Sequence, residues 1–352
     1  MRIIGIGNAL LDVLLRLESD ATLQAMGMKK GVMELVDEST MRAIQQEQSG
    51  LERSDAPGGS VCNTMRALAL LGASVGYVGK VGTDANGAFY EQAIRDAGVT
   101  PHIVRSEGIS GCCTVLMSPD SERTMATFLG PAATLTSGEI MDETLRAYDC
   151  IYVEGYLISN ASTDRLFLPI LRRAKALGKK VALDLSNFNI VNGFSDMLHR
   201  AIPEYVDILF SNETEAEAYT GKSAEEALRE IMKEVKYAVV TVGKDGALAG
   251  HAGETVHVPA VSNNPVDTTG AGDNFAAGFL YGYSRGATLR QSAEIGALMA
   301  GNVVETVGPQ IVPERWAQIT SKVSSILGVT AQKKDPLIAV LRCNGTCEAR
   351  PR

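Results

Sequence analysis

The sequence predicts an α/β fold in which a mostly parallel central sheet lies between two layers of helices. Two observations lead to this prediction. Apolar runs of strand length alternate with runs of helical periodicity along most of the chain, and glycines end several of the helical runs. Such alternation is typical of parallel sheets that are covered on both faces. With 352 residues, 45% of them hydrophobic, the chain suits one large domain with a small appendage.

The alternation begins with an apolar strand at residues 2–7 and a helix at 60–72 that ends in a glycine. The later elements follow the same order and predict a sheet of roughly eight or nine strands. The further predicted strands span 75–79, 150–154, 180–184, 206–210 and 237–242. The further predicted helices span 85–97, 163–177, 195–202, 213–220, 223–234, 271–284 and 288–305.

Two segments interrupt the alternation and predict a small accessory sheet. Residues 10–36 and 100–130 carry short β-like runs, and an appendage of this kind is a natural lid over an active site. A pair of ordinary surface hairpins is the alternative. We therefore assign residues 1–328 to one domain that contains both lid segments, and residues 329–352 to a C-terminal tail.

Composition and charge exclude several classes of function. The net charge of −8 argues against a nucleic-acid binder, which normally presents a basic face. No signal peptide or membrane-spanning run is apparent, so we expect no membrane association. The six cysteines include no Cys-x-x-Cys pair, and the histidines show no metal-ligand spacing with them. Free thiols in the cytoplasm are the simplest interpretation.

One heptapeptide carries the prediction of function. Residues 267–273 read Asp-Thr-Thr-Gly-Ala-Gly-Asp and lead into a strong helical pattern. A glycine-rich entry to a helix leaves backbone N–H groups aimed outward at the positive end of the helix dipole, which is a phosphate site. Asp273 follows these amides, where a carboxylate can take the proton of a phosphoryl acceptor. The plainer interpretation is a capped helix start in which Asp273 only favours the dipole.

The heptapeptide resembles the C-terminal signature of the ribokinase family, also called the PfkB carbohydrate and nucleoside kinases. Residues 57–64, Pro-Gly-Gly-Ser-Val-Cys-Asn-Thr, are similar to the N-terminal signature of that family, and residues 212–215 fit its Asn-x-x-Glu pattern. The resemblance covers about residues 1–328. It implies a ribokinase-like three-layer fold with a β-sheet lid, and a kinase that uses ATP and Mg²⁺.

The resemblance also implies roles for individual residues. Asp273 would be the catalytic base beside an anion hole, and the Asn-x-x-Glu element would organise ATP and Mg²⁺, with Glu215 reaching the metal through water. The implied anion-hole residues are Gly270, Ala271 and Gly272, and the implied nucleotide-binding residues are Asn212, Glu215, Thr241, Gly243 and Asn302. Relatives often bind a monovalent cation such as K⁺ near this loop, and Asp267 and Thr269 would be its ligands.

The first signature implies the acceptor site. Gly58, Gly59 and Asn63 would lie near the acceptor, and Asp12 matches the acidic residue that grips sugar hydroxyls. A carboxylate can accept hydrogen bonds from two adjacent hydroxyls, as a ribose diol offers. A turn residue after the first strand is the plainer interpretation of Asp12. Arg123 resembles a lid arginine that could offset phosphate charge, and an exposed hairpin arginine is equally compatible with the sequence.

The identity of the acceptor is less constrained. Three segments resemble the adenosine-kinase-like branch of the family: residues 31–38, residues 128–133 and the sequence of the first signature. This resemblance predicts phosphorylation of the hydroxymethyl group of an adenosine-like nucleoside. Leu35 and Phe128 could supply apolar surface for a base, although core packing explains both equally well. Because aromatic residues make up only 5% of the chain, ribose, fructose and related sugars stay open. The sequence allows a monomer or a homodimer.

Three other functions compete with this prediction. The first is a dinucleotide-binding oxidoreductase, because residues 5–10, Gly-Ile-Gly-Asn-Ala-Leu, begin like the dinucleotide-binding fingerprint, but they lack its last glycine. The second is a P-loop NTPase, because residues 221–223, Gly-Lys-Ser, resemble the end of a phosphate-binding P-loop, but the first glycine of that motif is missing. A non-catalytic nucleotide-binding protein of the same fold is the third alternative, and the presence of Asp273 disfavours it.

Overall fold

The computed structural model describes residues 1–328 except 48–49, 51–52, 121, 161–162 and 263. The predicted tail at 329–352, with Cys343 and Cys347, lies outside the described residues. The helices, numbered in chain order, are α1 (Ala21–Ala25), α2 (Glu38–Glu47), α3 (Ser60–Leu70), α4 (Ala85–Asp96), α5 (Asp142–Arg146), α6 (Thr163–Ala176), α7 (Phe188–Gly193), α8 (Ser195–Tyr205), α9 (Glu213–Thr220), α10 (Ala224–Ile231), α11 (Ala271–Ser284), α12 (Leu289–Val303) and α13 (Trp316–Ile326).

A nine-stranded sheet forms the centre of the described chain and confirms the predicted fold class. Its strands, numbered in chain order with those of the lid, are β1 (Ile3–Ile6), β5 (Val75–Gly82), β6 (Thr100–Ser106), β9 (Cys150–Glu154), β10 (Lys180–Asp184), β11 (Ile208–Asn212), β12 (Tyr237–Thr241), β13 (Ala247–His251) and β14 (Glu254–Val258). The spatial order is β14-β13-β12-β11-β10-β9-β1-β5-β6. Only the β12–β13 and β13–β14 pairs within this sheet are antiparallel.

Both faces of the sheet are buried under helices. Along β1, Ile3 packs into the core on the side of α3, α11 and α12, whereas Ile4 and Ile6 pack into the core on the side of α6, α8 and α10. Successive side chains of a strand point to opposite faces, so a continuous apolar strand fills both cores. These two cores and the sheet between them form the predicted three layers.

A five-stranded sheet forms the lid, with the order β3-β8-β7-β2-β4. Its strands are β2 (Leu10–Arg16), β3 (Met33–Leu35), β4 (Arg53–Gly58), β7 (Cys112–Met117) and β8 (Arg123–Phe128). Leu11, Val13 and Leu15 of β2 pack under α1 and α2 on the outer face of the lid. The alternate residues of β2, which include Asp12, therefore face the body of the protein.

The boundaries of the lid differ from the predicted segments 10–36 and 100–130. Residues 100–106 form β6, which pairs in parallel with β5 in the large sheet because α4 provides the crossover between them. Residues 53–58 form a lid strand that the sequence analysis missed. Its sequence, Arg-Ser-Asp-Ala-Pro-Gly, has no apolar alternation, and its proline is tolerated because β4 is an edge strand.

The Gly-Lys-Ser segment at 221–223 is not a phosphate loop. Gly221 adopts a left-handed conformation with φ 71° and ends α9, and Ser223 precedes α10. The described cysteines, Cys62, Cys112, Cys113 and Cys150, are free thiols. Within the part of the chain that the structure describes, no helix combines the length and apolar character needed to cross a membrane.

Candidate active site

A cavity of about 1020 Å³ lies between the lid and the carboxyl ends of the parallel strands. The strand order reverses at β1, whose neighbours are β5 on one side and β9 on the other. Ligands of open parallel sheets bind outside the carboxyl ends of the strands at such a reversal. Asn8, which follows β1, and Glu154, which ends β9, both line the cavity. The topology therefore places the candidate site where the two signatures meet.

Asp273 lies in the first turn of α11 and faces this cavity. Ser60 Oγ donates a hydrogen bond to its Oδ1 atom at 2.7 Å, and Asn63 Nδ2 donates to its Oδ2 atom at 2.9 Å. Burial raises the pKa of Asp273, and these two hydrogen bonds oppose that rise because they favour the charged carboxylate. The two signatures thus hold the predicted base in one orientation.

The glycines of the loop before Asp273 leave the N-terminal end of α11 accessible from the cavity. Gly270 adopts φ 75°, which allows the chain to turn into α11. A Cβ atom at Gly272 would have no heavy atom within 4 Å, so the backbone at this position borders open space. Ala271 differs from the expectation, because its N–H group donates to Thr268 O at 3.1 Å. Of the three predicted anion-hole residues, Gly272 is therefore the one that borders open space.

Asp12 projects from β2 into the same cavity, opposite Asp273. Burial raises its pKa to about 7, and the negative charge of Asp273 adds to the rise, whereas Arg66 and Arg123 oppose it. A Cβ atom at Gly58 would lie 2.2 Å from the Asp12 carboxylate, so only glycine fits beneath this side chain. Gly59 adopts φ 92° as α3 begins. The first signature thus leaves space for the Asp12 side chain.

Asn212 and Glu215 form a reciprocal capping box at the start of α9. Asn212 Oδ1 accepts from the Glu215 N–H at 2.9 Å, and Glu215 Oε2 accepts from the Asn212 N–H at 2.9 Å. Both residues line the cavity. Glu215 is buried, and burial raises its pKa to about 7. The Asn-x-x-Glu element therefore shapes a helix start and also keeps a carboxylate at the edge of the cavity.

Two further carboxylates at this site were missed from the sequence. Glu154 Oε1 accepts from the Asn8 N–H at 2.8 Å, and its Oε2 accepts from the Val61 N–H at 3.2 Å, so it joins β1 to α3. Burial raises the pKa of Glu154 to about 7. Asp184 ends β10, and burial and the charges of Glu215 and Asp273 raise its pKa well above the usual range. Each residue is the last of a mostly apolar strand, which is the only local signal, and the strand order is what brings both to the cavity.

The predicted nucleotide-binding residues do not all reach the cavity. Thr241, at the end of β12, lines it. Gly243 begins a short turn after β12 and does not line it. Asn302 lies on α12, but its Nδ2 atom donates to Leu298 O at 2.8 Å, one turn earlier in the helix. The amide of Asn302 is therefore engaged within its own helix, and its nucleotide-binding role stays a prediction.

The lid contacts the glycine-rich loop through Arg123. Its Nη2 atom lies 2.5 Å from Asp267 Oδ2, and its Nη1 atom donates to Thr269 Oγ1 at 3.0 Å. Both charged side chains are largely buried, with 13% of Arg123 and 10% of Asp267 exposed. The lid is therefore joined to the loop that leads to Asp273.

Comparison with known proteins identifies the family. The model of the pfkB family of carbohydrate kinases matches residues 33–316. The chain belongs to this family. It is therefore a phosphotransferase that acts on an alcohol group, as the resemblance implied.

The relatives include both nucleoside and sugar kinases. Adenosine kinase of Dictyostelium discoideum is 28% identical over 335 residues, which cover 88% of this chain and 96% of that protein. The solved structure of adenosine kinase from Sinorhizobium meliloti has a TM-score of 0.80 at 31% identity, covering 92% of this chain and 98% of that one. A probable sugar kinase from Rhizobium etli has a TM-score of 0.81 at 29% identity, covering 93% and 98%. The comparisons thus leave the acceptor unspecified.

Proposed function

We propose that this protein transfers the γ-phosphoryl group of Mg·ATP to the hydroxymethyl group of a nucleoside, with an adenosine-like compound as the acceptor. The observation that supports the proposal is the arrangement of one cavity. Asp273 and the open Gly272 backbone lie at a helix N-terminus on one side, and Asp12 lies opposite them on a lid strand. This arrangement offers a base, a phosphate site and a hydroxyl-binding carboxylate in one place.

Asp273 is the proposed general base. Ser60 and Asn63 each occupy one lone pair of its two oxygens, and the remaining lone pairs stay available to the acceptor hydroxyl. Their hydrogen bonds also favour the charged form and so oppose the rise in the pKa of Asp273 that burial causes. Because phosphoryl transfer has a loose transition state, a weak base that is correctly placed is sufficient.

The residues at the adjacent strand ends fit a nucleotide with a divalent cation. Asp184 and Glu215 lie close enough for Glu215 to raise the pKa of Asp184, so a cation between them would relieve this repulsion. Among the described residues no three acidic, histidine or cysteine side chains converge to hold a metal unaided. That suits Mg²⁺, which keeps several waters and binds phosphate oxygens. Asn212 and Thr241 border the same part of the cavity.

The inner face of the lid favours an acceptor with one apolar part. Its cavity-lining side chains are mostly aliphatic, and Asp12 and Arg123 are its charged residues. The aliphatic members are Leu10, Leu14, Met33, Leu35, Ala56, Val115 and Met125. A free sugar presents hydroxyls on most edges, and each one buried without a partner costs about 1–3 kcal/mol. A nucleoside instead presents a base to the aliphatic wall and a ribose diol to Asp12.

A sugar acceptor is the second candidate, and one observation favours it. None of the described lid strands places an aromatic ring in the cavity, so a stacking surface for a base is missing on that side. Of the two residues proposed for base contact, Leu35 lines the cavity, whereas Phe128 packs with the outer core of the lid.

An acceptor screen tests the proposal directly. ADP release is measured with Mg·ATP and a panel of ribonucleosides, their 2′-deoxy and 3′-deoxy analogues, ribose and fructose. We expect a ribonucleoside to give the highest kcat/KM, and each deoxy analogue to lose about tenfold or more because Asp12 loses a hydroxyl partner. A higher kcat/KM for ribose or fructose than for every nucleoside would instead support the sugar candidate.

A further inference from the structure

Asp267 is surrounded by hydrogen-bond donors. Its Oδ1 atom accepts from the N–H and the hydroxyl of Thr269, at 3.0 and 2.7 Å. Its Oδ2 atom accepts from the Gly308 N–H at 2.6 Å and faces the Arg123 guanidinium at 2.5 Å. Both oxygens of the carboxylate therefore have two partners each, and all of these partners are donors.

This environment does not fit the monovalent cation predicted at Asp267 and Thr269. A bound K⁺ needs a shell of oxygen ligands, whereas a guanidinium and a peptide N–H point at the oxygen that would ligate it. A second positive charge beside Arg123 would be repelled in this largely buried site. Thr269 Oγ1 already donates to Asp267 and accepts from Arg123, so its hydroxyl is also occupied.

We propose that Arg123 replaces the monovalent cation of this loop, and that phosphoryl transfer by this protein is independent of K⁺ and Na⁺. Two nitrogens of the guanidinium contact Asp267 and Thr269, so Arg123 engages both side chains that were expected to ligate the cation. Because Arg123 belongs to lid strand β8, the compensating charge reaches the loop only when the lid lies over the cavity. Arg123 is thus a positioning residue that couples lid closure to the shape of the phosphate site.

The consequence for turnover rests on the proposed kinase function, whereas the consequence for loop order does not. The first arm therefore measures hydrogen exchange of the ligand-free, full-length protein in KCl and in tetramethylammonium chloride, each at about 0.1 M. We expect peptides covering 264–272 to exchange at the same rate in both salts. In tetramethylammonium chloride, we expect these peptides of R123Q to exchange about tenfold faster or more than those of the parent protein, because a buried carboxylate has lost its cation.

Two further variants control this arm. R53Q removes an arginine on lid strand β4 that pairs with Asp55 and does not contact the loop, so exchange of 264–272 should match the parent protein. R123K keeps the charge but loses the fork, and it should slow exchange relative to R123Q and stay insensitive to K⁺. The proposal would be overturned if peptides covering 264–272 exchanged equally fast in R123Q and the parent protein in tetramethylammonium chloride. It would also be overturned if the protection of these peptides in R123K depended on K⁺.

The second arm measures turnover with the best acceptor from the screen. We expect less than about a twofold change in kcat when K⁺ replaces tetramethylammonium, and a loss of about tenfold or more in R123Q. Severalfold activation of the parent protein by K⁺ would overturn the proposal. If no acceptor is phosphorylated, the proposed function fails while the exchange result still decides the role of Arg123.

Discussion

Replacing Asp273 with asparagine tests the proposed base function while leaving the surrounding structure in place. The substitution keeps the size of the side chain, and its oxygen can still accept from Ser60 Oγ, which lies 2.7 Å from the carboxylate. The new amide group would face Asn63 Nδ2, whose own amide can rotate to present its oxygen. Helix α11 and the phosphate site should therefore stay intact in Asp273→Asn.

The magnitude follows from what the variant loses. A positioned general base contributes about 10²–10⁴-fold to the rate, which corresponds to about 3–5 kcal/mol of barrier. The affinity for ATP should change little, because the backbone beside Gly272 still borders open space. Removing a negative charge near the phosphates would, if it acts at all, strengthen ATP binding.

ADP release at saturating acceptor measures kcat, and calorimetric titration measures ATP binding by the same preparation. Ser60→Ala is the matched control, since it keeps the carboxylate and removes one of its two hydrogen bonds. We expect a loss of about tenfold in Ser60→Ala, together with a higher pKa on the acid limb of the kcat profile, because the Ser60 bond lowers the pKa of Asp273. Turnover of Asp273→Asn within about tenfold of the parent protein would refute the base role.

Three other substitutions test neighbouring parts of the site. Asp12→Ala should raise the acceptor KM by about tenfold or more and leave the ATP KM unchanged. In the parent protein, the acceptor affinity should decrease when the pH is lowered below about 7, because Asp12 becomes protonated. Gly272→Val should lower kcat/KM for ATP by at least about tenfold without lowering the melting temperature, since its side chain enters open space. Glu154→Gln should flatten the dependence of unfolding free energy on pH, measured by thermal melts.

The sign for Glu154 follows from its raised pKa. Between the unfolded pKa of 4.5 and the folded pKa of about 7, the folded protein binds more protons than the unfolded chain. The free energy of unfolding therefore decreases as the pH rises, by about 1.4 kcal/mol from about pH 6 to about pH 8 for this group. A Glu154→Gln protein whose pH dependence equals that of the parent would contradict the burial of a protonated Glu154.

The results for Gly272→Val and Asp12→Ala must be distinguished from a general loss of folding or activity. Gly193→Val adds a side chain at another position with no heavy atom within 4 Å of the added Cβ, so its activity and melting temperature should both be retained. A Gly272→Val protein as active as Gly193→Val would remove Gly272 from the phosphate site. An Asp12→Ala protein in which only the ATP KM rises would move the acceptor site away from Asp12.

The sequence predicted the parts of this site that are local in the chain. The helix expected at 271–284 is observed as Ala271–Ser284, because a glycine entry followed by continuous apolar residues has few alternative structures. The Asn-x-x-Glu element likewise reads as a helix start, and it forms one at Asn212. In both places the secondary structure depends on neighbouring residues, so the sequence pattern predicts it.

Contacts between distant segments could not be predicted in the same way. Ser60 bonds to Asp273 across 213 positions, and Arg123 reaches Thr269 across 146. Glu154 and Asp184 are single acidic residues after apolar strands, a position where solvated carboxylates are common. Their meaning depends on strand order, since β9 is adjacent to β1, where the order reverses, and β10 is adjacent to β9. Strand order is a tertiary property that the local pattern does not contain.

The carboxylates of the cavity share one electrostatic feature. Burial is the largest cause of the raised pKa at Asp12, Glu154, Asp184, Glu215 and Asp273, so each carries a desolvation cost in the protein alone. A cavity selected only for stability would hold neutral side chains there, because uncompensated buried charge destabilises the fold. The lid brings Arg123, but its guanidinium is engaged by Asp267. Because ATP is itself an anion, the positive charge that would offset these carboxylates is that of the Mg²⁺ proposed to accompany it, and this would couple charge balance at the strand ends to binding of the metal–nucleotide complex.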